Sequence, residues 1–73
     1  MKKTYKLEDL DCAHCAAKME KAIAKLDGVE AASISFLSQK LTITFKEDAD
    51  IDTIMKNASA ICKKVEPDCR IIL

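Results

Sequence analysis

Residues 32–45 read ASISFLSQKLTITF and contain two runs in which apolar and polar side chains alternate. Residues 37–40 join the two runs and are mostly polar. Two short alternating runs with a brief polar link predict an antiparallel β-hairpin. Each run is expected to place three apolar side chains on one face of its strand: Ala32, Ile34 and Phe36 in the first, then Leu41, Ile43 and Phe45 in the second.

Two segments with helical periodicity flank this hairpin. The first is predicted to run from Cys15 to Leu26, with Gly28 ending it in a left-handed conformation. The second is predicted to begin at Ile51 with Asp50 as its N-cap, and Pro67 cannot continue it. The apolar stripes of the two helices are Ala16, Met19, Ile23 and Leu26 in the first, and Ile51, Ile54, Met55, Ala58 and Ile61 or Cys62 in the second.

A short strand is predicted at each end of the chain. Residues 4–7 alternate, and residues 68–73 place Cys69, Ile71 and Leu73 on one face. The resulting order, βαββαβ, predicts an α+β fold: a ferredoxin-like sandwich in which two helices cover one face of a four-stranded antiparallel sheet. Because 73 residues support one small core, residues 1–73 are assigned to a single domain.

The predicted topology also places the cysteines. The first loop, the hairpin turn and the link before the last strand all fall at one end of such a sheet. The four cysteines are therefore expected near that end: Cys12, Cys15, Cys62 and Cys69.

The composition argues against several classes of function. Twelve Lys and Arg residues balance 12 Asp and Glu residues, so a net charge of +0 gives no support for binding nucleic acid or an anionic lipid surface. No apolar run approaches the roughly 20 residues of a membrane helix, and the opening MKKTYKLEDLDC lacks the apolar core of a secretion signal. A soluble, cytoplasmic protein with reduced thiols is therefore expected.

The sequence Cys12-Ala13-His14-Cys15 follows the first strand and is the candidate functional site. Two thiols with two residues between them can turn their sulfurs toward one soft cation. Cys15, the second cysteine, is expected to begin the helix, where the N-terminus lowers the pKa of a thiol and favours the thiolate that binds metal. The alternative from the residues alone is a thiol–disulfide oxidoreductase, in which the same pair would carry out redox chemistry.

Residues 10–20, LDCAHCAAKME, together with LDGV at 26–29 and the hairpin, resemble the heavy-metal-associated domain over the whole chain. That family is ferredoxin-like and carries metal ions in copper chaperones, mercury-binding proteins and the N-terminal regions of metal-transporting P-type ATPases. The resemblance implies that Cys12 and Cys15 are the metal thiolates. It also implies that Leu10 takes the place of a methionine that packs beneath the loop in other members.

The residues around the motif resemble one branch of the family more than the other. Copper-carrying members often have Gly-Met-Thr or Gly-Met-Ser before the first cysteine, whereas this chain has Asp9-Leu10-Asp11. An Asp before the first cysteine resembles the zinc, cadmium and lead exporters, which implies Asp11 as a third ligand beside the thiolates. Zn(II) seeks four ligands, whereas Cu(I) is content with two sulfurs. Zn(II) is the expected ion, Cd(II) and Pb(II) are competitors, and a copper(I) carrier is the alternative.

The resemblance also implies the partners. They would be the metal ion and the other domains of a metal-transporting ATPase, with delivery to or regulation of the exporter as the role and no catalysis in these 73 residues. A monomer is expected, although two copies could share one metal ion through exposed cysteines. Three further residues stay open as contributors to the site: His14, Cys62 and Cys69.

Overall fold

The computed structural model describes residues 1–72, which form four strands and two helices. The order along the chain is βαββαβ, as the sequence predicts. The elements are β1 (Lys2–Glu8), α1 (Ala13–Ala24), β2 (Val29–Ser35), β3 (Lys40–Phe45), α2 (Ile51–Val65) and β4 (Arg70–Ile72).

The four strands form one antiparallel sheet in the spatial order β2-β3-β1-β4. The predicted hairpin pairs β2 with β3, and Ile34 lies opposite Leu41. Strand β1 lies in the interior of the sheet, where Tyr5 pairs with Leu41 of β3 and Leu7 pairs with Ile71 of β4. The ferredoxin-like α+β fold predicted from the sequence is therefore confirmed.

The core lies between the sheet and the two helices. Helix α1 contributes Ala16, Met19 and Ile23, while α2 contributes Ile54, Met55, Ala58 and Cys62. The sheet and its adjoining loops supply the remaining buried side chains: Leu7, Leu10, Val29, Leu41, Ile43, Phe45 and Cys69. The apolar sides of the two helices thus pack on the apolar face of the sheet, and this packing excludes water from the core.

Helix α1 differs from the prediction at both ends. It begins at Ala13, two residues before Cys15, because Cys12 is its N-cap. It ends at Ala24, with Lys25 as a right-handed C-cap, so Gly28 does not terminate it. Gly28 does adopt a left-handed φ of 91°, but it does so in the turn that leads into β2.

The outer strands also differ from the prediction. Strand β1 extends from Lys2 to Glu8, since residues 2–6 all pair with β3 even though most of them are exposed. Strand β4 is shorter than predicted and begins at Arg70, after a turn that contains Cys69. The predicted inward position of Leu73 lies outside the described residues. Within residues 1–72, neither helix is long and apolar enough to cross a membrane.

Candidate metal centre

Cys12 and Cys15 meet at the N-terminus of α1. Cys12 has the extended backbone of an N-cap residue, and its Sγ accepts a hydrogen bond from the Cys15 N–H at 3.1 Å. The Cys12 carbonyl accepts the first helical hydrogen bond, from the Ala16 N–H at 3.0 Å. A thiol here replaces the oxygen of the usual N-cap side chains and lies at the positive end of the helix dipole.

The two thiols have opposite electrostatic surroundings. A hydrogen bond from the Cys15 thiol and further ones from the Cys15 and His14 N–H groups lower the pKa of Cys12. The pKa of Cys15 is raised to about 11, first by its hydrogen bond to Cys12 and then by desolvation. Cys12 therefore loses its proton more readily than Cys15. The sequence predicts the lowered pKa at Cys15 instead.

The loop is open to solvent. Cys12 and Cys15 are half-buried, and the residues around them, Asp11, Ala13 and His14, are exposed. Among residues 1–72, no three His, Cys, Asp or Glu side chains converge closely enough to form a metal-holding group. The structure thus brings the two predicted thiol ligands together and leaves the Asp11 and His14 side chains at the surface beside them.

Glu66 is a residue of this site that sequence reasoning missed. It is the C-cap of α2, and its negative charge contributes to the raised pKa of Cys15, after the larger effects of Cys12 and desolvation. The same charge partly opposes the lowering of the Cys12 pKa and, after burial, contributes to the raised pKa of Cys69. The expected location of the link after the second helix, at the same end of the sheet as the first loop, was the available signal, because it places a charged residue beside the motif.

Cys62 and Cys69 form a separate pair of thiols in the core. Two successive backbone hydrogen bonds, Glu66 N–H to the Cys62 carbonyl at 2.8 Å and Cys69 N–H to the Glu66 carbonyl at 2.9 Å, fold the link back on the helix end. The exposed fraction is 1% for Cys62 and 0% for Cys69. All four cysteines are free thiols. Burial is the main cause that raises the pKa of Cys62 to about 12 and that raises the pKa of Cys69.

All four cysteines lie at one end of the molecule, as predicted. Charges from Asp9 and Asp11 in the first loop raise the pKa of Cys69, and Glu66 acts on thiols of both pairs. Cys62 and Cys69 lie in the same core cluster, and each thiol affects the pKa of the other. The surface pair is accessible to an ion, and the buried pair belongs to the core.

Comparison with known proteins agrees with this arrangement. The family model described as the heavy-metal-associated domain matches residues 4–67. The zinc/cadmium/lead-transporting P-type ATPase of Escherichia coli is 37% identical over 60 residues, which cover 82% of this chain and 8% of that protein. The copper chaperone CopZ of Enterococcus hirae is 28% identical over 47 residues, which cover 64% of this chain and 68% of that protein.

A solved structure shares the fold. It is the N-terminal domain of a potential copper-translocating P-type ATPase from Bacillus subtilis, with a TM-score of 0.76, 22% identity, and coverage of 99% of this chain and 84% of that one. The first ATPase relatives are far longer than this chain, which spans only 6–9% of their length. Since the family model covers most of the sequence, and the fold and the paired thiols agree with it, the chain belongs to the heavy-metal-associated domain family.

Proposed function

We propose that this domain binds one divalent soft metal ion, Zn(II) in the first place with Cd(II) and Pb(II) as competitors, through the thiolates of Cys12 and Cys15. The observation that carries the proposal is the cap geometry: the Cys12 sulfur accepts the Cys15 N–H at 3.1 Å on a solvent-exposed loop. An N-cap sulfur with a lowered pKa gives up its proton to an arriving ion more readily than an ordinary thiol does.

The second thiolate forms as the metal binds. A divalent cation is the largest charge in such a site and deprotonates a coordinating thiol outright, so the raised pKa of Cys15 in the free protein does not prevent ligation. Binding then releases a proton, and the affinity rises with pH. Because the loop is exposed, the ligands of a partner could replace these thiolates one at a time without free ion being released.

The third ligand in this proposal is Asp11. It precedes Cys12 directly and its side chain is exposed, so rotation about its own torsions can bring a carboxylate oxygen toward an ion held by the two sulfurs. Zn(II) favours four ligands of N, O or S type, and a third protein ligand leaves one position for water or for a partner. Glu66 is the competing carboxylate, because its charge acts on both the Cys12 and the Cys15 thiols.

The relatives support both metal classes. The name of the Escherichia coli relative gives zinc, cadmium and lead, and the name of the Enterococcus hirae relative gives copper. The carboxylate at position 11 favours Zn(II), since an oxygen ligand adds little for Cu(I) but is one of the ligand types that Zn(II) binds. The role that follows is delivery to, or regulation of, a metal-exporting P-type ATPase, either as its cytoplasmic N-terminal domain or as a free-standing carrier.

Competition titrations with Zn(II) and Cu(I) test this assignment. Asp11→Ala should weaken Zn(II) binding by about tenfold or more, because even the loss of a residue that only orients a metal ligand has an effect of that size. Cu(I) binding should be unchanged. Asp9→Asn is the matched control: it removes a neighbouring charge and keeps a residue type that tolerates the left-handed φ of 59°. Equal losses of Zn(II) affinity in Asp11→Ala and Asp9→Asn would show that Asp11 acts only through its charge. Unchanged Zn(II) affinity in Asp11→Ala would exclude the zinc assignment.

A copper(I) carrier is the second candidate, favoured by the two-sulfur arrangement in which no third ligand converges among residues 1–72. Native mass spectrometry of protein purified without added metal identifies the bound ion and shows whether two copies share it. Insulin reduction by the metal-free protein tests the remaining alternative, a thiol–disulfide oxidoreductase. Robust turnover in that assay would contradict the carrier proposal.

A further inference from the structure

Gln39 connects the hairpin turn to the loop that carries the cysteines. Its Oε1 accepts a hydrogen bond from the Leu10 N–H at 3.1 Å, and its Nε2 donates to the Leu10 carbonyl at 2.8 Å. The same Nε2 also donates to the Phe36 carbonyl at 2.9 Å. One side-chain amide thus satisfies both backbone groups of Leu10, across 29 residues of sequence.

The backbone at Gln39 has a conformation that few side chains tolerate. Its φ is 55°, in the left-handed region where glycine is the favoured residue. Its carbonyl also accepts the Leu7 N–H at 2.8 Å, so the turn is held to β1 by the main chain as well. A non-glycine residue at such an angle costs conformational free energy, and a specific role of its side chain can explain why it is present.

Leu10 transmits this contact to the cysteine pair. Its side chain is 2% exposed in the core, and its backbone lies two residues before Cys12. On the other side, the hydrogen bond from the Ala16 N–H to the Cys12 carbonyl fixes the loop to α1. Cys12 therefore lies between two fixed points, Leu10 and the start of α1. The start of α1 is fixed by neighbouring residues, whereas Leu10 is fixed by Gln39, which is distant in sequence.

We propose that Gln39 is a positioning residue that holds the Cys12 loop in its binding conformation before the ion arrives. The inference rests on the proposed function above, because it concerns the same two thiols. A loop fixed in advance loses less conformational freedom on binding, so the fixed loop has the higher affinity. Without the amide, Leu10 keeps its buried side chain but both of its backbone groups lose their partner.

The variant that isolates this role is Gln39→Gly. Glycine removes the amide and is well suited to a φ of 55°, so the hairpin turn is preserved. Leu37→Gly is the matched control, since Leu37 is 96% exposed in the same turn, whereas the Gln39 side chain bonds with the Leu10 backbone. The measurements are amide hydrogen exchange of the metal-free protein and Cd(II) affinity by chelator competition.

In Gln39→Gly, the Leu10 amide should exchange at least about tenfold faster while the Ala58 amide in α2 is unchanged, and Cd(II) affinity should fall by about tenfold. Leu37→Gly should match wild type in both measurements. Unchanged Leu10 exchange, or Cd(II) affinity within about twofold of wild type, would overturn the positioning role alone. Failure of the wild-type protein to bind Cd(II) in a Cys12-dependent manner would instead overturn the proposed function and this inference together.

Discussion

The carboxylate of Glu20 on helix α1 accepts a hydrogen bond at 2.7 Å from the backbone N–H of Ile34 on strand β2. Strand β2 is an edge of the sheet, so its outward N–H groups have no strand partner. The helix thus satisfies one donor of an exposed edge with a charged acceptor and ties α1 to the hairpin.

Replacing this acceptor should reduce stability. Glu20→Ala is expected to lower the free energy of unfolding by about 1–2 kcal/mol, because a partly buried N–H loses a charge-assisted hydrogen bond. Glu20→Gln keeps an acceptor and should lose less. Urea denaturation measures both, with Lys21→Ala on the exposed side of α1 as the control. Equal stability of Glu20→Ala and wild type would show that water replaces the carboxylate fully.

The four thiols should react in a fixed order. In metal-free protein near neutral pH, iodoacetamide is expected to modify Cys12 first, since its pKa is lowered, and Cys15 more slowly, since its pKa is raised to about 11. Cys62 and Cys69 should stay unmodified until the chain unfolds, because both are buried. Peptide mass spectrometry over time gives the order. Early labelling of Cys15 ahead of Cys12 would contradict the N-cap arrangement of the sulfur.

The cap of α2 should make stability depend on acidity. The Asp50 carboxylate accepts hydrogen bonds from the Thr53 hydroxyl at 2.8 Å and the Thr53 N–H at 3.4 Å, which lower the pKa of Asp50 below its usual 3.8. For a carboxyl group whose folded pKa is lowered, the stabilisation is present above the unfolded pKa and is lost as the pH falls through the folded value.

Asp50→Ala should therefore lower the melting temperature by about 5 °C near neutral pH, and the difference from wild type should shrink as the pH falls below the usual carboxyl pKa of 3.8. Thermal unfolding followed by circular dichroism across this range measures it. Asp52→Ala, in the first turn of α2 but outside the cap, is the control. A difference between wild type and Asp50→Ala that did not vary with pH would mean that the ionised carboxylate is not what stabilises the helix start.

Gly28 should tolerate no side chain. Its φ is 91°, and an added Cβ would lie 2.8 Å from Ile54 Cδ1 and 3.2 Å from Ala49 Cβ. Gly28→Ala combines backbone strain with a clash against α2, so a loss of about 2 kcal/mol is expected in chemical denaturation. Asp27→Ala, one residue earlier in the same exposed turn, should change stability much less. A stable Gly28→Ala would require the turn to rearrange into right-handed backbone.

Cys69 should not be a metal ligand. Its side chain is 0% exposed and belongs to the core cluster that also contains Cys62, whereas Cys12 and Cys15 lie on the surface loop. In cadmium NMR, Cys69→Ala should leave the resonance of the bound ion unchanged, whereas Cys12→Ala should abolish it. A shifted resonance in Cys69→Ala, in a variant that remains folded by circular dichroism, would add this thiol to the site.

Most of the fold was predictable because its elements are encoded locally. The alternation in residues 32–45 gave the hairpin, and the Asp50 cap gave the start of α2 at Ile51. The start of α1 was missed because cysteine is not a usual N-cap residue, and its sulfur accepts the Cys15 N–H only once the helix exists. Strand β1 was underestimated because Lys2 and Lys3 pair with β3 through their backbone while their side chains stay exposed.

The candidate site was predictable only in part for a related reason. The spacing of Cys12 and Cys15 identifies the pair, but the surroundings that set their chemistry come from distant segments. The charge of Glu66 acts on Cys15 from the end of α2, and the Gln39 side chain bonds with Leu10 from the hairpin turn. No local pattern predicts which side chain will meet another across such separations, so these contacts needed the folded structure.

The central place of β1 in the sheet has a consequence for biosynthesis. Both neighbours of β1, strands β3 and β4, are translated after it, so a nascent chain that emerges from the ribosome as far as α1 has the two cysteines but no sheet around them. Gln39 and Glu66 also arrive later. The cysteine loop therefore acquires its surroundings from the rest of the fold only after translation has passed the second helix.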